Sequence, residues 1–237
     1  MRMRTSVLAA LVGSALICGT ALAAPGDPFG GDDSGFIPPD AITQKCEAKV
    51  SKYTAKFLKC VAKCHISLAK QKFTPGAEEG CEAICEGKFD IGIGKVTNAG
   101  PPACPPACMS PVSIRSVWEG VFDGNNGQIY CEGTTALGGD DPGFVPTSAA
   151  SLVCETKLEK VLAKFGACYM KCHDSRAKEK TDAAGEDTCE SGCDTAYSAK
   201  VAALLGCAPC VMTNAPTIAT GLKNNANSNN GLVYCAF

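Results

Sequence analysis

The chain has 237 residues, with 22 basic against 24 acidic side chains and a net charge of −2. That balance is too mild to imply a nucleic-acid partner. Seventeen cysteines beside two histidines, one tryptophan and five tyrosines instead suggest a thin core that depends on crosslinks.

Residues 1–23 read as a signal peptide: Arg2 and Arg4 precede an apolar run that ends in Ala21-Leu22-Ala23, the small-residue pattern a signal peptidase cuts. A mature chain starting near Ala24 keeps 20 basic and 24 acidic residues, and Cys18 leaves with the signal. The remaining 16 cysteines, an even and dense set in an exported chain, read as a disulfide framework. No later stretch is apolar enough to cross a bilayer, so the expected location is periplasmic or secreted.

The segment GGDDSGFIP at residues 30–38 returns as GGDDPGFVP at residues 138–146, an offset of 108. At the same offset, 19 of the 40 positions from Cys46 to Cys85 are identical. The endings agree as well, with NNGQIYC at 125–131 against NNGLVYC at 229–235. This is an internal duplication. It divides the chain into a linker over 24–40, a first module over 41–135, a second linker over 136–148 and a second module over 149–237. Each module carries eight cysteines: Cys46, Cys60, Cys64, Cys81, Cys85, Cys104, Cys108 and Cys131, then Cys154, Cys168, Cys172, Cys189, Cys193, Cys207, Cys210 and Cys235. Four disulfides within each module are expected.

In the first module Cys46, Val50, Tyr53, Phe57, Cys60, Cys64 and Leu68 lay one apolar stripe along a helix of about six turns. Lys45, Lys49, Lys52, Lys56, Lys59 and Lys63 supply its polar face. The helix should end near Lys72, with Thr74 capping and Pro75 starting a second helix. On that helix Ala77, Cys81, Cys85 and Phe89 share a face, and Glu78, Glu79 and Glu82 lie near the N-terminus, where the helix dipole favours them. Cysteines four apart project from one side of a helix. Two such pairs on antiparallel helices predict nested disulfides: Cys60 with Cys85, Cys64 with Cys81, Cys168 with Cys193 and Cys172 with Cys189. The four outer cysteines of each module allow three pairings; Cys46 and Cys131 are each expected to join a loop cysteine, Cys104 or Cys108, within one module. Residues 100–108, GPPACPPAC, read as a non-helical loop, and Gln128-Ile129-Tyr130 after an Asn-Gly turn as a short β-prone end. The resulting fold class is mainly α, a tandem of disulfide-rich helical hairpins, each with a short C-terminal irregular or β segment.

The motif C-x3-C-x16-C-x3-C at residues 60–85 and 168–193 resembles the twin Cx3C hairpins of small mitochondrial intermembrane-space chaperones and of plant α-hairpinins. That resemblance covers about a quarter of the chain and implies the nested pairing and the hairpin shape, without an activity. The KCH and terminal NNGxxYC patterns also resemble exported cysteine-rich repeat proteins of bacteria.

Each histidine, His65 and His173, follows directly after a Cys-x-x-x-Cys. Covalent haem attachment uses two thiols and an adjoining axial histidine, at a spacing one residue shorter. A dihaem carrier with His65, His173, Met109 and Met212 as ligands is therefore one alternative, although it strands Cys81 and Cys85. The stretch CAPC at 207–210 lacks the βαβ setting of a redox pair, and DGNNGQIYCE falls out of register with an EF-hand loop. No catalytic constellation is visible. The expectation is an exported, non-catalytic binding or structural protein with no metal and no cofactor, whose partner is a protein or an anionic cell-surface ligand. A protease inhibitor is the other alternative.

Overall fold

The computed structural model describes residues 24–98 and 109–235. The signal-peptide expectation for 1–23 and the loop with Cys104 and Cys108 lie outside those residues. Helices dominate, and all but α6 start where a side chain satisfies free backbone N–H groups. In α1 (Ala41–Ala69), Asp40 Oδ1 accepts from the N–H groups of Ile42 and Thr43, both at 2.8 Å. In α2 (Pro75–Thr97), Thr74 is the cap and Pro75 opens the first turn. The same grammar builds α3 (Pro111–Ile129) after Ser110, α4 (Ala149–Ala177) after Ser148 and α5 (Ala183–Ala202) after Asp182, whereas α6 (Pro209–Ser228) follows Ala208 without a capping side chain and opens on Pro209. No described helix is long and apolar enough to cross a membrane.

Two short antiparallel hairpins complete the architecture: β1 (Pro28–Gly30) with β2 (Asp33–Phe36), and β3 (Ala136–Gly138) with β4 (Asp141–Phe144). Each turns on a glycine pair with positive φ, 84° and 64° at Gly30 and Gly31, then 86° and 75° at Gly138 and Gly139, a conformation that glycine adopts freely. These are the GGDD repeats.

Each hairpin docks on the end of a module. The Phe144 N–H donates to the Tyr130 carbonyl at 2.8 Å, closing β4 onto the end of α3. The Phe36 N–H donates to the Tyr234 carbonyl at 2.9 Å, so the N-terminal hairpin closes the C-terminal module. Gly127 and Gly231 make room: a Cβ at Gly127 would meet Pro142 Cβ at 3.0 Å, and the Cα of Gly231 lies against Gly35. The stretch Gln128-Ile129-Tyr130 is accordingly not a strand. Gln128 and Ile129 are the last residues of α3 and Tyr130 is its C-cap, because the buried stripe of Ile114, Trp118, Phe122, Asn126 and Ile129 outweighs the turn preference of Asn-Gly.

The modules pack on one another through α1 and α4. Val50, Leu58, Leu158, Leu162 and Phe165 are buried in one continuous core, Ser51 Oγ donates to the Met170 carbonyl at 3.3 Å, and a Cβ at Gly166 would stand 3.0 Å from Leu58 Cδ1. The lysine stripe of α1 faces solvent.

Cys60–Cys85, Cys64–Cys81, Cys168–Cys193 and Cys172–Cys189 are disulfides, with Cα separations of 5.7, 5.8, 5.9 and 5.7 Å. Each closes a loop worth about 3 kcal/mol in the chain-entropy model. The expectation that Cys131 joins a cysteine of its own module is overturned: Cys131 is bonded to Cys210, 79 residues away. Cys154 is bonded to Cys207. With α3 running as a helix alongside α6, the cysteine just after its C-terminus is carried to the start of α6. Cys46 and Cys235 each also take part in a disulfide.

Candidate metal centres

The staple explains why each histidine follows a cysteine. Cys64–Cys81 fixes α1 against α2 one residue before both His65 and Glu82, so the imidazole meets a carboxylate across the hairpin. His65 Nε2 lies 2.9 Å from Glu82 Oε1, 3.4 Å from Asp123 Oδ1 and 3.4 Å from Asp141 Oδ1. Glu78, one turn before Glu82 on the same face of α2, joins His65 and Asp141 in a second set of ligand atoms within 4.8 Å of one another. The donors come from four elements: α1, α2, α3 and the β3–β4 hairpin. On the other edge of the ring, His65 Nδ1 stands 3.4 Å from Glu159 Oε1 of α4.

The second module repeats the arrangement. Cys172–Cys189 precedes His173 and Glu190. His173 Nε2 lies 3.1 Å from Asp33 Oδ1, 3.1 Å from Glu190 Oε1 and 3.8 Å from Glu186 Oε1, and these four residues form one ligand group within 4.8 Å. Asp33 belongs to β2, delivered by the hairpin at the chain's beginning. Phe29 covers the site edge-on to His173, with ring centroids 6.4 Å apart, and Arg176 holds the Phe29 carbonyl at 2.9 Å.

Apart from the His173–Glu190 hydrogen bond at 3.1 Å in the second cage, these groups sit close with several polar atoms unsatisfied. His65 is fully buried and Asp141 is 5 % exposed, yet His65 Nε2, Glu82 Oε1, Asp123 Oδ1 and both Asp141 carboxylate oxygens lack an aligned hydrogen bond. Asp33 Oδ1 and Glu186 Oε1 are in the same condition. Buried polar atoms are rarely left so, and a clustered set aimed at one point is what a cation satisfies.

Charge points the same way. In the first centre one histidine faces Glu78, Glu82, Asp123 and Asp141, and among the described residues no lysine or arginine forms an ion pair with any of these carboxylates. Burial pushes the Glu78 carboxyl up to about 9, with the charges of Asp141 and Glu82 adding to it. It takes Asp141 to about 7, against the pull of His65, and raises Asp123 in the same way. Burial disfavours a charged His65 ring, but Asp123, Glu159 and Glu82 outweigh it and lift its pKa well above the ordinary value. His173 goes to about 9, where Asp33 and Glu190 overcome burial. Glu186 also reaches about 9, through burial and then Asp33. A bound cation would offset the same carboxylates and lower these values.

The sequence reading singled out His65 and His173 but assigned them no metal. It placed Glu78 and Glu82 as dipole-favoured acids and Asp33 and Asp141 in linkers. The missed signal was the repetition itself: Glu-x3-Glu and Gly-Gly-Asp-Asp both recur at the offset of the histidines. For the haem alternative, Cys60 and Cys64, like Cys168 and Cys172, are held in disulfides, which occupy the thiols that covalent attachment consumes. Met109 is buried with its sulfur 3.8 Å from Cys46 Sγ, and Met212 lines a groove between α5 and α6 with Tyr197 and Pro216.

Fold and site together define a mainly α, disulfide-stapled protein with a duplicated, buried histidine–carboxylate cage. Compared with known proteins, the chain matches no family model, no curated protein and no solved structure.

Proposed function

We propose that this chain is an exported, non-catalytic protein that binds a divalent first-row transition metal ion in each of its two histidine–carboxylate cages. The observation that carries the reading is the buried His65 Nε2, which converges with the unpartnered oxygens of Glu82, Asp123 and Asp141, together with its repetition at His173. One imidazole nitrogen among several carboxylates suits Mn2+, Fe2+ or Zn2+ better than the all-oxygen preference of Ca2+ or Mg2+. The disulfides support an oxidising location, periplasmic or secreted.

The work of the residues is to hold. With an ion bound, Glu159 would accept a hydrogen bond from Nδ1–H and so leave the Nε2 lone pair to the ion, the usual arrangement of a metal-ligating histidine. Asp141 comes from the β3–β4 hairpin and Asp33 from β1–β2, so each ion would tie a hairpin to its helices. Phe29, buried and edge-on to His173, closes the second cage, which favours slow exchange over turnover.

The test is direct. Chelator-treated, disulfide-intact protein titrated with Mn2+ or Zn2+ and weighed by native mass spectrometry should take up two equivalents, and His65→Ala and His173→Ala should each lose one. Failure to retain either ion would overturn the reading.

A further inference from the structure

The two cages are copies that have diverged at the positions which set their charge. Asp123 lies eight residues before Cys131, and its counterpart eight residues before Cys235 is Asn227. There the amide donates to Asp32 Oδ2 at 2.9 Å and to Glu190 Oε2 at 3.2 Å, so a neutral donor stands where the first cage has a carboxylate. One turn earlier on the same helix, Glu119 of α3 corresponds to Lys223 of α6. Lys223 Nζ reaches Glu190 Oε2 at 3.9 Å, whereas Glu119 adds to the field of Asp123, Glu82 and Glu86. A third difference is Glu159, which faces His65 from α4 and whose counterpart on α1 is Ser51, engaged with the Met170 carbonyl.

We infer that the two centres are unequal: the His65 cage is the high-affinity cation site, and the His173 cage, carrying Asn227 and Lys223 in place of Asp123 and Glu119, is a weaker site filled second. The inference rests on the proposed metal-binding function. Its physical basis is that affinity for a divalent cation rises with the number of anionic ligands and falls when a protein cation competes for the same oxygen. Three substitutions act in one direction, and two of them lie on matching turns of matching helices.

Chelator-treated protein titrated with Mn2+, with free ion followed by its electron paramagnetic resonance signal, should show two steps separated by about 10-fold or more in affinity. His65→Ala should remove the tighter step. Asp123→Asn should bring the first step toward the second. The double variant Lys223→Glu with Asn227→Asp, which gives the second cage the first cage's residues, should tighten the second step by a comparable factor. Circular dichroism and the unreduced mass confirm that each variant keeps its fold and disulfides. Two steps of equal affinity, or a tighter step lost in His173→Ala instead, would overturn the inequality and leave two-site binding standing. Absence of both Mn2+ and Zn2+ binding in the unmodified protein would remove the metal reading itself.

Discussion

His65 Nδ1 lies 3.4 Å from Oε1 of Glu159, a residue 94 positions later on the first helix of the other module. Both side chains are fully buried, so the orientation of one cage's histidine is set by the neighbouring repeat. Glu159 is therefore a positioning residue for the first centre alone. Glu159→Gln should weaken Mn2+ binding there about 10- to 100-fold while the second step is unmoved, since the counterpart of Glu159 on α1 is Ser51, which bonds the Met170 carbonyl. Isothermal titration of the two steps checks this, and an unchanged first step would show that Glu159 only fills space.

The hairpins make metal binding a stability term. Asp33 and Asp141 reach their cages only when β1–β2 and β3–β4 are docked on the module ends, so a bound ion stabilises the docked state by mass action. With free ion at about 100 times the dissociation constant the gain is about 2.7 kcal/mol per site. Thermal unfolding in saturating Mn2+ should rise above that in chelator, and Asp33→Asn should lose the part due to the second cage. Identical midpoints with and without Mn2+ would count against the hairpins as ligand carriers.

Much of the first hairpin could be read from the chain. The spacing of Cys46, Val50, Phe57, Cys60 and Cys64 describes a helix, Thr74-Pro75 marks the next start, and the four-residue cysteine steps lead to the nested staples. The cages could not be assembled the same way, because Asp33 and His173 are 140 residues apart in sequence and only the docking of an N-terminal hairpin on the C-terminal module joins them. The helix α3 was hidden for a related reason: Gly124, Asn125, Asn126 and Gly127 favour a turn locally, while the burial of Asn126 and the close approach of Pro142 to Gly127 are tertiary facts. Local preference decided the reading, and packing decided the structure.

The bridge between modules carries its own consequence. Cys131–Cys210 spans 79 residues, and in the chain-entropy model a loop of that length contributes roughly 4 kcal/mol, more than either rung of a staple. Replacing both cysteines with Ser should lower the denaturation midpoint more than replacing Cys60 and Cys85. The comparison should be made by urea unfolding without reductant, and the reverse order would show that the non-covalent α1–α4 and α3–α6 packing holds the modules together without help from the bridge.

Glu155 on α4 provides a pH test away from the ligands. It is fully buried with both oxygens lacking a hydrogen bond, and burial, assisted by the charge of Glu132, raises its pKa from 4.5 to about 8. The folded chain thus holds this proton where the unfolded chain releases it. Stability from the protonated carboxyl is complete below about 4.5 and is lost as pH rises through about 8, at up to about 1.4 kcal/mol per pH unit for one proton. Glu155→Gln keeps the shape and removes the proton. In chelator, where the cages contribute equally to both proteins, the unmodified chain should lose stability from pH 5 to 8 more steeply than the variant, and the variant should be the more stable at pH 8. Parallel profiles would mean that the buried carboxyl is ionised in the folded state, with its charge answered by water or by movement of α4 toward solvent.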